Sequence, residues 1–187
     1  MQARYGCQCD HWHGCRAIED AIKAGVHISF AHITFGLHNA SAARATIAMC
    51  QQYGIAIVAD GATMFGCVDE HFLGIPCPSQ FQQDPPLTSL AGAKAAISQM
   101  GGWELVQAAL TAIKSVADKH NVTMATVMLR WQMDSGATPV VISAWSHPGG
   151  CMGKSPLDEG SPADAQLFQR DTFLDADDRA ALDAVAK

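Results

Sequence analysis

The first sixty residues alternate between a helical and a strand-like spacing of apolar side chains. Residues 15–25, "CRAIEDAIKAG", carry apolar side chains three and four positions apart and stop at Gly25, which predicts a helix. Residues 26–35, "VHISFAHITF", are rich in β-branched and aromatic side chains over the length of a strand. A second helix is predicted from Ser41, as its N-cap, to Gly54, and the apolar "IAIVAD" that follows predicts a second strand. This order predicts an α/β protein whose parallel strands are joined by helices.

The second half of the chain keeps this alternation but contains two irregular stretches. Residues 74–87 are rich in proline and predict a long loop, and residues 146–170 have little periodic pattern and are expected to form an irregular insertion. Periodicity also predicts two adjacent helices, a third apolar strand and a closing helix. These elements are the helices 102–120 and 123–136, the strand 138–143, and the helix 174–187, with Thr123 and Asp175 as N-caps.

Composition excludes several classes of protein. The 187 residues, 49% hydrophobic and 16% charged, are expected to form a single domain over 1–187. A net charge of −6 argues against a nucleic-acid partner, because neutralising phosphates requires clustered Lys and Arg. No apolar run approaches the roughly 18 residues of a membrane span, and no secretory leader is visible, so no membrane partner is expected. Seven cysteines, an odd number, indicate reduced thiols and an intracellular protein, with the cytoplasm as the expected compartment.

A cluster of potential metal ligands lies near the start of the sequence. Three cysteines and two histidines alternate in "YGCQCDHWHGC", namely Cys7, Cys9, His11, His13 and Cys15. Zinc sites usually combine Cys-x2–4-Cys pairs with a second, distant pair of ligands. On a strand these side chains would share one face but spread over roughly 26 Å, too far for one ion. We therefore expect a thiol- and imidazole-rich segment without a metal, the alternative being a loop that gathers four of the side chains.

Several strings, in order along the chain, resemble the C-terminal half of the aldo-keto reductases, particularly the plant and algal type. One is the "GGW" of Gly101–Trp103 before the long helix, and the others are "IKSVADKHNVTMATVMLRWQM" and the terminal "FLDADDRAALDAV". The resemblance implies a partial (β/α)8 TIM barrel, roughly strands 5 to 8 with their helices, since a whole barrel takes about 250 residues. It also implies that residues 1–15 are a degenerate strand 5, "RYGCQCD", followed by an inserted loop at 11–14.

The resemblance implies an NADP(H)-dependent oxidoreductase that transfers a hydride between a nicotinamide and a small-molecule carbonyl or alcohol. In that family the proton-donor tyrosine and its Lys, Asp and His partners lie in the N-terminal half, and no segment here matches them. We therefore assign no catalytic residue and expect this chain alone to be inactive. The alternative is a non-catalytic half-barrel that binds a nucleotide or a partner chain, with self-association through its open sheet edges. A missing upstream segment would also allow a plastid location.

Two residues of "AHITFGLHN" take positions that hold the nicotinamide in the resembling family. His32 stands where the family has an amide that binds the nicotinamide carboxamide, and Phe35 stands where it has a ring that stacks on the nicotinamide. A phenylalanine keeps a ring face for stacking, and a histidine can donate one hydrogen bond. The alternatives are that Phe35 only packs the barrel and that His32 is a polar residue satisfied by its neighbours.

The string "DGATMFGCVDEHFL", residues 60–73, resembles the family loop that wraps the cofactor pyrophosphate with backbone amides. The pyrophosphate positions implied here are Gly61, Ala62, Thr63, Met64, Gly66 and His71. Three departures oppose this role: Phe65 replaces a glycine, Asp60 adds an acid, and His71 replaces a fixed cation. After strand 8, Ser143 and Ala144 stand at the family's turn, but the charged residues that select NADP over NAD are not matched, and that preference stays open.

Overall fold

The computed structural model describes residues 5–9, 12–82, 90–140 and 174–187, with the backbone alone for 5–9 and 12–15. Its sheet contains the strands β1 (Tyr5–Cys9), β2 (Ile28–Thr34), β3 (Ala56–Asp60) and β4 (Thr138–Pro139). All neighbouring strands are parallel and lie side by side in chain order. Successive βα units in a barrel produce this order, whereas a doubly wound sheet reverses its strand order at a switch point. The predicted α/β class with a parallel sheet is confirmed, and the arrangement is consistent with part of a barrel.

Helices surround this sheet, and they alternate with short 3-10 turns. The α-helices among the described residues are α1 (Trp12–Lys23), α2 (Ala40–Gln52), α3 (Ser79–Gln82), α4 (Ala91–Met100), α5 (Trp103–His120), α6 (Met124–Asp134) and α7 (Ala176–Val185). The 3-10 turns are Leu37–Asn39, Met64–Gly66 and Glu70–Phe72. Within the described ranges, we find no helix that combines the length and the apolar character needed to span a bilayer.

The elements with strong periodicity are confirmed, and those with weak periodicity are not predicted. Thr123 caps α6 as expected, because its side chain accepts a hydrogen bond from the amide of Thr126 at 3.2 Å. The third predicted strand is confirmed at Thr138–Pro139 but does not include Val140, and its positions 141–143 lie outside the described residues, as does the expected insertion at 146–170. The sequence pattern fails to predict α4, whose buried face is built largely from alanine and gives little hydrophobic contrast.

Of the strand and the loop expected within residues 1–15, the strand is confirmed and the loop is not. A strand is confirmed at "YGCQC", but the loop expected at 11–14 is wrong from Trp12 onward, because α1 begins there. His13 and Cys15 therefore belong to a helix, whereas Cys7 and Cys9 belong to β1, so the five residues do not share one extended strand. Within the part of the chain whose side chains are described, no group of three or more His, Cys, Asp or Glu is placed to hold a metal ion.

The expected N-cap of α2 is also wrong, and the backbone explains why. Helix α2 begins at Ala40 with Asn39 at its N-cap, so Ser41 lies inside the first turn. The amide of Ser41 donates to the backbone carbonyl of Lys187 at 2.8 Å, while the amide of Lys187 donates to the carbonyl of Leu37 at 2.7 Å. The segment that follows α7 thus satisfies a free amide at the start of α2, a role that sequence reasoning gives to a local side chain.

A buried carboxylate joins α7 to the end of α5. The side chain of Asp178 is 4% exposed, and its Oδ1 accepts a hydrogen bond from Nζ of Lys119 at 2.8 Å. Its Oδ2 lies 2.7 Å from Nε2 of His120 and accepts from the amide of Asp175 at 3.1 Å. Asp175 completes a capping box by accepting from the amide of Asp178 at 2.9 Å, which confirms its predicted role.

These contacts shift the titration of both carboxyl groups. Hydrogen bonding to Lys119 lowers the pKa of Asp175 from 3.8 to about 2. Burial raises the pKa of Asp178, but hydrogen bonds from Lys119 and His120 outweigh it and hold that pKa below its ordinary value. Because both pKa values fall on folding, both carboxylates stabilise the folded chain above pH 3.8, and this stabilisation is lost as the pH falls toward about 2.

We expect Asp178→Asn to lower the free energy of unfolding near neutral pH by about 1–2 kcal/mol, because it weakens the cap and removes the charge that Lys119 contacts. It should also reduce the loss of stability in acid. Thermal unfolding followed by circular dichroism, from neutral pH down to about pH 2, measures both effects. Asp177→Asn is the control, since Asp177 is exposed in the same helical turn and should keep the wild-type profile. Equal losses of stability in the two variants would contradict the role assigned to the Asp178 carboxylate.

Candidate functional site

The open face of the sheet carries polar side chains at the carboxyl ends of two central strands. Along β2, Ala31 and Ile33 are buried, whereas His32 and Thr34, on the opposite face, are partly exposed. The same alternation along β3 places Asp60 on the partly exposed face. Ligands of parallel α/β folds bind at the carboxyl ends of the strands. This edge of the sheet is therefore the candidate site.

His32 and Asp60 face each other across β2 and β3. Nε2 of His32 lies 3.4 Å from Oδ2 of Asp60, and the two side chains are 28% and 14% exposed. Among the described residues, neither Nε2 of His32 nor Oδ1 of Asp60 has a hydrogen-bond partner in good geometry. An imidazole that can donate and a carboxylate that can accept, both incompletely satisfied, suit a polar ligand such as an amide. Both unpartnered atoms are themselves buried, so a ligand reaches them only if neighbouring groups move.

Phe35 lies on the other side of the sheet edge, inside the core. Its side chain is 0% exposed, and its ring packs on that of Trp131 with centroids 4.7 Å apart and planes tilted by 34°. A ring that stacks on a nicotinamide needs one free face, and this ring is covered by the protein itself. The burial favours the packing alternative for Phe35.

A glutamine that sequence reasoning misses ties the ends of β2 and β3 together. Gln132 on α6 is fully buried, and its Nε2 donates to the backbone carbonyls of Phe35 and, at 3.1 Å, Asp60. The amide of Phe35 donates to the same Asp60 carbonyl at 2.8 Å. The signal in the sequence is a polar residue within the run Met124–Gln132, all of which is buried. A buried polar side chain must find partners, and here they are strand-end carbonyls.

Two glycines permit the loops after β2 and β3 to touch. A Cβ on Gly36 would lie 2.4 Å from the carbonyl oxygen of Gly61, closer than any real contact. Gly61 itself has φ +83°, and a Cβ there would lie 2.9 Å from Cγ2 of Thr34. The side chain of Asn39 fixes the first loop, accepting from the amide of Gly36 at 2.9 Å and donating to the carbonyl of Thr34 at 2.8 Å. The loop geometry therefore depends on the absence of side chains at both glycines.

The turn after β3 brings the predicted pyrophosphate residues together in a closed, left-handed shape. Met64, Phe65 and Gly66 have φ of +49°, +56° and +92°, and the first two cost about 1–3 kcal/mol each because their side chains disfavour that region. The amides of Met64, Gly66, Cys67 and Val68 donate to carbonyls within the turn, at 2.9 to 3.2 Å. Ala62 and Thr63 lie in the same turn, with Ala62 buried. The residues predicted to wrap a pyrophosphate therefore form a turn, but four amides of this turn donate to carbonyls of the turn itself.

The charge around this turn is unfavourable for a pyrophosphate. Asp60 precedes it, and its far end carries Asp69, whose Oδ1 accepts from the amide of His71 at 2.8 Å. The exposed ring of His71 contacts Phe72 edge-on, with centroids 5.7 Å apart. The lysine beside the turn, Lys114, is bonded to Asp118 and lies 3.7 Å from Glu70, and the hydrogen bond to Asp118 raises its pKa. Carboxylates therefore flank the turn at both ends, and Lys114, which lies beside Glu70, is already paired.

The remaining predicted positions are not described, and the two tyrosines of the described residues lie away from this edge. Ser143 and Ala144 lie outside the described residues. Tyr53, 47% exposed, lies at the C-cap of α2 ahead of β3, and Tyr5 begins β1, so both tyrosines are at the amino edge of the sheet. The length of β3 puts Tyr53 more than about 13 Å from the candidate site, too far to give a proton to a ligand there.

We expect Gly36→Ala to destabilise the chain by about 1–3 kcal/mol, because the new methyl group displaces the carbonyl of Gly61 and separates the two loops. Chemical denaturation provides the measurement. Gly25→Ala is the matched control, since a Cβ there meets nothing within 4 Å but suffers the strain of φ +83°. A smaller loss of stability for Gly36→Ala than for Gly25→Ala would show that the close approach of the loops is unimportant.

Comparison with known proteins agrees with this architecture. The model of the aldo/keto reductase family matches residues 10–148. The chain is 38% identical over 176 residues to flagellar radial spoke protein 5 of Chlamydomonas reinhardtii, an alignment that covers 90% of this chain and 33% of that protein. The chain thus spans about a third of the length of this relative. On the extent of the family match, the chain belongs to the aldo/keto reductase family.

Proposed function

We propose that this chain is a non-catalytic interaction module, a half-barrel of the aldo/keto reductase family that docks on other protein within a larger assembly. It comprises one domain over 1–187 and corresponds to roughly strands 5 to 8 of the barrel. The observation that carries the proposal is the closed turn after β3, in which the amides of Met64, Gly66, Cys67 and Val68 bond to the turn itself. The scaffold of the family is thus kept, while the turn that should hold the cofactor does not fit a pyrophosphate in this conformation.

The open sheet face supports the docking role. Phe30, on the same face of β2 as His32, is 44% exposed, and Val140, just after β4, is 39% exposed. Exposed apolar groups on a sheet face mark a surface that other protein covers. The relative is named as a radial spoke protein of the flagellum, and a module of that kind would act inside an axonemal assembly and not free in the cytoplasm or in a plastid. Self-association through the same face is the simplest competing outcome.

The second candidate is the NADP(H)-binding half of an oxidoreductase that acts on a small-molecule carbonyl. It is favoured by the incompletely satisfied pair of His32 and Asp60 at the carboxyl edge of the sheet. The cofactor would supply a hydride, and the proposed contacts are His32, Phe35 and the turn with His71, together with Ser143 and Ala144. Of these, Phe35 would first have to leave the core.

We expect this chain to show no loss of NADPH absorbance with small aldehydes above that of buffer, because both tyrosines lie at the amino edge of the sheet. We also expect little quenching of tryptophan fluorescence by NADPH below millimolar concentrations, because four amides of the turn are bonded to the turn itself. A carbonyl reduction rate that depends on protein concentration would overturn the non-catalytic proposal. Saturable quenching of tryptophan fluorescence without carbonyl reduction would support NADP(H) binding but not oxidoreductase activity.

The docking role can be tested in the relative itself. Replacing the matching third of flagellar radial spoke protein 5 by this chain should give a chimera that sediments with Chlamydomonas axonemes. Phe30→Asp should reduce this association at least severalfold, because it charges the open face. Tyr53→Asp, which alters an equally exposed aromatic residue at the far edge, should not. Equal association of the Phe30→Asp and wild-type chimeras, both folded by circular dichroism, would exclude this face as the docking surface.

A further inference from the structure

The ring of Phe65 packs on Gly92 and holds the turn after β3 against α4. A Cβ built on Gly92 would lie 2.8 Å from both Cγ and Cδ1 of Phe65, so the ring occupies the space that a side chain at 92 would need. Gly92 is the second residue of α4, a helix that packs on the 3-10 turn Met64–Gly66. The ring can seat there only because residue 92 has no side chain.

Phe65 is itself 37% exposed, so its ring is covered on the side of Gly92 and His38 but open to solvent elsewhere, whereas the residue before it is buried. The ring of His38 lies 5.9 Å from that of Phe65, centroid to centroid, and Met64 is 1% exposed. Left-handed backbone at two successive residues with side chains is strained, and such strain persists only where surrounding contacts enforce it. The seat on Gly92 and the burial of Met64 are the contacts that enforce it here.

The hydrogen bonds of the turn depend on this enforced shape. The amides of Met64 and Cys67 donate to the carbonyls of Gly61 and Met64, at 2.9 and 3.2 Å. The amides of Gly66 and Val68 both donate to the carbonyl of Thr63, at 3.0 Å each. If Phe65 returned to the right-handed or extended region, the three bonds that span it, from the amides of Gly66, Cys67 and Val68, would break, and the opened turn would offer its amides to an acceptor from outside.

We propose that Phe65 and Gly92 form a latch that holds the turn closed and withholds its amides from an anionic ligand at the carboxyl end of β3. Successive amides freed at a turn form a concave donor site of the kind that binds a pyrophosphate. The latch itself rests on the contacts described above. Its consequence for a ligand rests on the second proposed function, binding of NADP(H).

The latch is tested by amide hydrogen exchange on the full chain. Gly92→Ala should expel the ring, and Phe65→Ala should remove it, so each should speed exchange at Met64, Gly66, Cys67 and Val68 roughly tenfold by favouring local opening. Gly92→Ala improves the helix propensity of α4, so faster exchange in the turn cannot be attributed to a weaker helix. The double variant should exchange no faster than either single variant, because both remove the same contact. Phe65→Leu, with a smaller apolar side chain, serves if Phe65→Ala fails to fold.

Ligand titration separates the latch from its consequence. Gly92→Ala should bind NADPH and inorganic pyrophosphate roughly fivefold or more tightly than the wild type, as expected when a competent state becomes more populated. Unchanged exchange at the four amides, or effects that multiply in the double variant, would overturn the latch. Faster exchange without tighter binding of either NADPH or pyrophosphate would support the latch and exclude the NADP(H)-binding candidate. Tighter binding of pyrophosphate alone would support a latch that controls access of phosphate groups, and it would count against recognition of the nicotinamide.

Discussion

The side-chain amide of one buried residue, Gln132, positions the candidate site. Gln132 lies in the core on α6, and its Nε2 joins the carbonyl of Phe35, where β2 ends, to that of Asp60, where β3 ends. The Asp60 carbonyl also accepts from the amide of Phe35, and buried carbonyls are costly when unsatisfied, so this single side chain helps to stabilise two loops at once. His32 lies three residues before the first carbonyl and Asp60 carries the second, so the glutamine holds the strand ends beside the pair whose register the β2–β3 pairing sets.

The same constraint explains the glycines and the strained turn. With both strand ends held to one helix, the loops that follow must pass close together, and only Gly36 beside Gly61 permits this. The chain then leaves Gly61 toward α4 within a few residues, which forces the left-handed backbone at Met64 and Phe65. Strain at this turn is therefore a consequence of tight packing at the strand ends, maintained by the contact of Phe65 with Gly92.

The sequence predicts the regular part of this fold because its signals are local. The stripe of α5 and the caps Thr123 and Asp175 depend on neighbours within one or two turns, and they are confirmed. The start of α2 is not predictable in this way, because Ser41 bonds to Lys187 at the other end of the chain. The burial of Phe35 under Trp131 is likewise a contact between distant segments, and a family string shows only that an aromatic residue is present. Site geometry depends on such contacts more than secondary structure does.

The contrast between scaffold and site gives the strongest argument about function. The features that hold the scaffold together are present: the Gln132 bridge, whose Nε2 is paired although its buried Oε1 has no partner among the described residues, the paired glycines, and the junction of α5 and α7 through Asp178. Three features oppose a dinucleotide in this conformation: the ring of Phe35 is covered, four amides of the turn are bonded internally, and carboxylates flank the turn, while the His32–Asp60 pair favours such a ligand. Random damage to a fold would affect packing as readily as chemistry, because most destabilising substitutions fall in cores and caps. A chain in which packing is intact and cofactor contacts are altered is better explained by a role that uses the fold as a surface.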